Sequence, residues 1–335
     1  MQPLQDASPL LQSPEALRTQ AESQGYLYLP GLLPREKVTE VRDAFAGILR
    51  TAGWLEDDQA SGGTRPRPGM FAVEPEPAFM AVFNQQFAQL GLHELQHHPR
   101  LLEVMSHLLQ AEVLVHPRSI LRNIFPSQDA YTTPAHQDYV HFQGTEQCYA
   151  AWIPLTDCPS AMGGLAVAAG SHTGGIYDIR PALGAGALEV VPTFEGQWRY
   201  SPTRMGDVLI HHCMGVHRGV PNRSDSIRLS VDARYQPASE PVCEDALHPH
   251  RRFATWDEID GQWPSTPLRR FWEKLDLEVV PFDFALYEKR DRLAFEMAER
   301  GDQNALSVLQ RIQTSDPSPE KRARAERALT RLSLP

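Results

Sequence analysis

The 335-residue chain is poor in the features that announce several large protein classes. Its four cysteines, Cys148, Cys158, Cys213 and Cys243, form no CxxC pair and no dense pattern. That argues against a disulfide framework or a zinc site built on thiolates, and for reduced thiols. No apolar run approaches the roughly 20 residues of a membrane-spanning helix. The polar start MQPLQDASPLLQSPE lacks the basic and then apolar order of a signal peptide, so a cytoplasmic protein is expected. Positive charge is also in deficit: 32 Lys and Arg face 42 Asp and Glu, a net charge of −10. Nonspecific binding to nucleic acid or anionic lipid depends on basic side chains that neutralise phosphates. No nucleic acid and no membrane are therefore expected as partners, which leaves small molecules and proteins.

Hydrophobic residues at 41% and charged residues at 22% match an ordinary globular chain. Ser13, Pro14 and Glu15 read as a helix start, GYLYLPG as a short strand, and PREKVTEVRDAFAGILRTA as a helix with apolar spacing at Val38, Val41, Phe45, Ile48 and Leu49. The run DDQASGGTRPRPG, from Asp57 to Gly69, has no periodicity and reads as a surface loop able to act as a lid. Helices are expected over 77–90 and 99–109. After Ala111 the texture changes to short apolar runs divided by turn residues, the pattern of an all-β sandwich or barrel. The tail again reads as amphipathic helices, broken at ERGD and SDPSPEK, with Asp316 or Ser318 as caps. The organisation expected is a β domain with N-terminal helices over 1–280, then a helical extension over 281–335. That extension is expected to pack on the core, form a homodimer contact or recruit a partner.

One stretch carries the chemistry. In TTPAHQDYVHFQ, His136 and Asp138 stand two residues apart, a spacing that puts both on one side of a strand. The pair alone fits a solvated strand face as well as a metal. A second block, MGDVLIHHCMGVHRGVPNRSDSIRLSVDARYQ, offers three further histidines before an alternating strand. A third ligand from it completes two histidines and one carboxylate, a set that leaves positions open on iron(II) for a chelating cosubstrate and dioxygen.

With HQD at 136–138, YAAWIPLTD at 149–157, GGLAVAAGSH at 163–172, GD at 206–207, then HRGVPN and Arg228, the chain resembles the phytanoyl-CoA dioxygenase family of iron(II)- and 2-oxoglutarate-dependent oxygenases. The resemblance spans Gly25 to Gln236 and implies a double-stranded β-helix, or jelly roll, in keeping with the strand-rich middle. It implies that His136, Asp138 and His217 hold the metal, because His217 lies eleven residues after Gly206 and eleven before Arg228. Of His211 and His212, one is expected to pack and the other to support the site, while His141 and His172 read as bystanders. Arg228 is the implied fork for the distal carboxylate of 2-oxoglutarate, with Arg234 on the same strand face as its competitor. Gly219 stands where a relative supplies a serine, which leaves the second donor open between Ser230 and Thr133. Trp152, Arg122 and, if the strand is kinked, Gln137 are the other residues implied near the cosubstrate.

The resemblance implies hydroxylation of a C–H bond with release of succinate and carbon dioxide. Asp138 argues against halogenation, since halogenating relatives replace that carboxylate to admit chloride. Desaturation, epoxidation and cyclisation use the same site. Two other classes stay open: a metal-dependent hydrolase on the same three ligands, and a non-catalytic jelly-roll binding protein. The expected substrate is an amino acid, a peptide or a specialised metabolite. The 57–77 segment and TGGIYDIRPALGAG are the expected substrate loops, and their mix of arginine and apolar side chains suits an anion with a hydrophobic part.

Overall fold

The alternation in SIRLSVDARYQP builds the centre of the molecule. In the computed structural model, which describes residues 1–57 and 62–333, Arg228–Pro237 is a ten-residue strand buried along its whole length. Leu229, Val231, Ala233 and Tyr235 face the main apolar core. The residues between them, Arg228, Ser230, Asp232 and Arg234, line a polar cavity on the other side. The strand pairs antiparallel with Tyr149–Pro154, Val113–Val115 and Ile120–Ile124. Val208–His212 and Tyr26–Leu29 complete this six-stranded sheet. A second sheet has the order His217–Gly219, Leu165–Ala168, Trp198–Arg199. Trp152 and Leu209 of the first sheet meet Leu165 and Val167 of the second in one apolar cluster, which makes the expected jelly roll.

Helices cover the outer face of the larger sheet. Arg35–Thr51 buries Val38, Val41, Phe45, Ala46 and Leu49, while Pro99–Leu109 has its proline in the first turn, where no amide donor is needed. The helix expected over 77–90 is two, Pro77–Phe87 and Leu90–Gln96. The expected lid loop falls partly on residues 58–61, outside the described residues.

The tail folds into three helices, Ala285–Glu299, Leu306–Ser315 and Pro319–Leu332, around Phe295, Val308, Leu309 and Ile312. Ser318 caps the last by accepting from the Lys321 amide. The group is tied to the jelly roll by Gln143 Nε2 donating to the Asp283 carbonyl (2.8 Å) and by a Lys289–Asp178 ion pair (2.8 Å). Among the described residues no helix is long and apolar enough to cross a membrane.

Candidate active site

The HQD segment is not the strand its spacing suggests. His136 forms a single antiparallel bridge with His217, each amide donating to the other's carbonyl at 3.0 Å. The backbone then turns helical at Asp138, which precedes the short helix Tyr139–Phe142. The side chains converge all the same. Asp138 Oδ1 lies 3.7 Å from His136 Nε2 and 3.8 Å from His217 Nε2, and one ligand atom from each of the three lies within 4.8 Å of the others. His136 Nδ1 bonds the Pro134 carbonyl (2.8 Å) and His217 Nδ1 the Gly215 carbonyl (3.1 Å). A carbonyl only accepts, so each Nδ1 carries the proton and each Nε2 lone pair is free to face the cluster.

Arg234 fixes the third member. Its Nη2 and Nε donate to Asp138 Oδ2 at 2.9 and 3.1 Å, which leaves Oδ1 toward the histidines, and its guanidinium lies 3.8 Å over the Phe142 ring. Burial pushes the Asp138 pKa up, but Arg234 and the surrounding histidines outweigh it and hold the carboxyl well below its ordinary range. Burial, with His211 and His136 nearby, pushes His217 down and keeps it neutral. Two neutral imidazoles and one ionised carboxylate fit a divalent cation with open positions. Arg234 is thus engaged by Asp138 and by the Asp232 carbonyl.

Behind the cluster a narrow pocket is lined by Arg122, Thr133, Trp152, Gly219, Arg228 and Ser230. Arg228 is buried, and its Nη1 donates to the carbonyls of Val220 (2.8 Å) and Met162 (3.2 Å). Arg228 Nε and Ser230 Oγ have no hydrogen-bond partner among the described residues. A guanidinium Nε and a hydroxyl left unanswered among the described residues on one strand face suit a carboxylate. Gln137, a cosubstrate candidate, does not line this pocket. Its Nε2 donates to the Gly175 and Met214 carbonyls and its Oε1 accepts from the Tyr177 amide, so it braces two loops because the chain leaves the sheet at Asp138.

A cavity of about 610 Å³ runs from His136 and Asp138 to the C-terminal helices. The expected substrate loops contribute Glu74, Ala185 and Gly186, while Tyr287, Arg311 and Ile312 come from the tail, which sequence reasoning gave no part in the site. His141, read as a bystander, also lines it and bonds the Tyr287 hydroxyl at 2.8 Å. His211 is buried with its ring 4.1 Å from that of His217, whereas His212 packs against Tyr149 and His172.

A family model described as Phytanoyl-CoA dioxygenase (PhyH) matches residues 21–230, more than half of the chain. The 1-deoxypentalenic acid 11-beta-hydroxylase of Streptomyces exfoliatus is 31% identical over 268 residues, covering 73% of this chain and 88% of that protein. Its Streptomyces arenae counterpart is 30% identical over 260 residues with the same coverage. Among solved structures, the apo non-heme monooxygenase ThoJ superposes with a TM-score of 0.50 at 17% identity, covering 88% of this chain and 99% of that one.

Proposed function

The chain belongs to the phytanoyl-CoA dioxygenase family, and from that premise we propose that His136, Asp138 and His217 hold one iron(II) ion while Arg228 and Ser230 receive the distal carboxylate of 2-oxoglutarate. The protein is an iron(II)- and 2-oxoglutarate-dependent oxygenase, and its reaction is hydroxylation of an unactivated C–H bond in a specialised metabolite. The iron, when bound, supplies the redox chemistry by which dioxygen converts 2-oxoglutarate to succinate and carbon dioxide and places one oxygen atom in the substrate's C–H bond.

The chain's own residues position and protect. Arg234 holds Asp138 ionised and turned so that Oδ1 faces the histidines. The Pro134 and Gly215 carbonyls hold the two imidazoles in the ligating tautomer. Trp152 and Leu165 give the cosubstrate pocket apolar walls. Asp138 occupies the position a halide would need, which favours hydroxylation.

The observation that carries the reading is a pair of polar groups behind the triad, Arg228 Nε and Ser230 Oγ, that have no hydrogen-bond partner among the described residues. A hydrolase on the same ligands has no use for them, and neither has a non-catalytic binding module. The test is anaerobic titration of iron(II) and 2-oxoglutarate, reading the visible charge-transfer band of the chelate. Wild type should give the band and His217→Ala should not. Arg228→Ala should need roughly 10- to 100-fold more 2-oxoglutarate, the equivalent of losing a charge-assisted bond. A wild type with no band, or an Arg228→Ala variant that binds 2-oxoglutarate normally, overturns the assignment.

A further inference from the structure

The 610 Å³ cavity contains a cationic cluster apart from the triad, of which one member, Arg122, also lines the cosubstrate pocket. Glu74, with a side chain 8% exposed, sits at its centre. Its Oε1 accepts from Arg311 Nη1 (3.1 Å), His250 Nε2 (3.1 Å) and Arg251 Nη1 (3.5 Å), and its Oε2 lies 3.8 Å from Arg122 Nη1. Arg122 is shared with Asp232, 3.6 Å from its Nε. Three guanidiniums thus face two carboxylates, an excess of one positive charge among largely buried side chains. Burial, and then Arg311, push the Arg251 pKa down to about 10, as crowding of like charge requires. Arg311 lines the cavity with a side chain 11% exposed, yet its Nε and Nη2 have no hydrogen-bond partner among the described residues. Buried donors left unanswered are costly, so a protein that keeps them there has a use for an acceptor.

We propose that this cluster is the substrate's anion site, and that the substrate is an apolar molecule bearing one carboxylate, received by Arg311 and Arg251. The proposal rests on the oxygenase reading above and names the substrate class of that site. A single uncompensated charge matches a monoanion better than a phosphate dianion. Ile120, Phe142 and Ile312 line the same cavity, as do the proposed ligands His136 and Asp138, and offer apolar surface to the remainder of the molecule. Arg311 and Ile312 come from the helix Leu306–Ser315, so the C-terminal extension becomes part of substrate recognition.

The test is anaerobic calorimetry on full-length protein loaded with iron(II) and 2-oxoglutarate, using adamantane-1-carboxylate and abietate as probes, each against its methyl ester. At least one acid should bind tenfold or more tightly than its ester. Arg311→Gln and Arg251→Gln should remove most of that gap while leaving ester affinity and the 2-oxoglutarate band unchanged. Glu74→Gln, which removes the competing carboxylate, should tighten the acid. If Arg311→Gln does not fold, Arg311→Lys is read instead, and several-fold weaker acid binding is expected from loss of the fork. Acids that bind wild type no better than their esters overturn the proposal. So does an acid preference that survives both arginine substitutions, or a preference for 1-adamantyl phosphate over the carboxylate. A missing charge-transfer band in wild type is a different result, which strikes the oxygenase reading itself.

Discussion

Arg228 and Arg234 share one face of one strand, and period-two spacing cannot rank them. What separates them is the element each meets: Arg228 runs beside the turn carbonyls of Met162 and Val220, Arg234 beside Asp138. Arg234→Met is expected to weaken iron(II) binding roughly 10- to 100-fold by freeing the ligand carboxylate to rotate, as read by competition with a chelator. It should also cost about 3–5 kcal/mol in urea unfolding of the metal-free protein, since Asp138 is left buried and unpaired. Two histidines outside the triad report the same physics with opposite sign. His93 and His116 are buried, and burial pushes each from 6.5 down to about 4. Between those values the unfolded chain holds more protons than the folded one. Stability is therefore complete above pH 6.5 and falls as pH drops toward 4, by up to about 1.4 kcal/mol per pH unit for each histidine. Urea midpoints of metal-free protein at pH 7 and pH 5 should show the decline. His116→Gln, which retains a donor for Gln236 Oε1, should make it shallower. No motif marked these histidines, because their burial is a tertiary property.

At the level of elements, helices were the most legible part of the sequence. Pro99–Leu109 has the expected ends because a proline opens it and Gln110 closes it in the left-handed conformation. The Arg228–Pro237 strand was legible too, since one face is apolar and the other carries the site's charges. The reading failed at HQD, where a strand spacing concealed a one-residue bridge followed by a helical turn. Spacing of two brings side chains together on a strand, but so does a tight turn, and sequence does not distinguish them. The turn at Gly163 shows how such local geometry reaches the chemistry. Its φ is +69°, and an added Cβ would stand 2.3 Å from the Val220 carbonyl oxygen, which accepts from Arg228 Nη1. Gly163→Ala should push that carbonyl away and weaken 2-oxoglutarate binding several-fold while iron(II) affinity in its absence stays near wild type. Parallel titrations of the two ligands check this; an equal loss in both would contradict it.

The whole molecule joins a jelly roll, whose family residues are spread over five separated blocks, to a helical tail that lines the cavity. The blocks were readable because their residues are constrained by chemistry. The tail's role was not, because helical periodicity reports which face is apolar and not which neighbour that face meets. If the triad and the Arg228 pocket bind as proposed, both ligands stabilise the folded state by mass action, about 2.7 kcal/mol at a hundredfold excess over Kd. Thermal unfolding under anaerobic conditions should shift upward by several degrees with iron(II) and further with 2-oxoglutarate. Arg228→Ala should keep the first increment and lose most of the second.

The paired backbone hydrogen bonds between His136 and His217 set a limit on how the centre loses and regains its ion. Two of the three donor arms are stitched together through the main chain, so removing the cation does not let them drift apart. Chelation should therefore be reversible without a refolding step, and reconstitution should be limited by entry of the ion rather than by rearrangement of the protein. The same rigidity offers little discrimination: imidazole and carboxylate donors in this arrangement accept cobalt, nickel or zinc as well as iron. The metal found after purification would then record which ion was abundant when the chain was isolated.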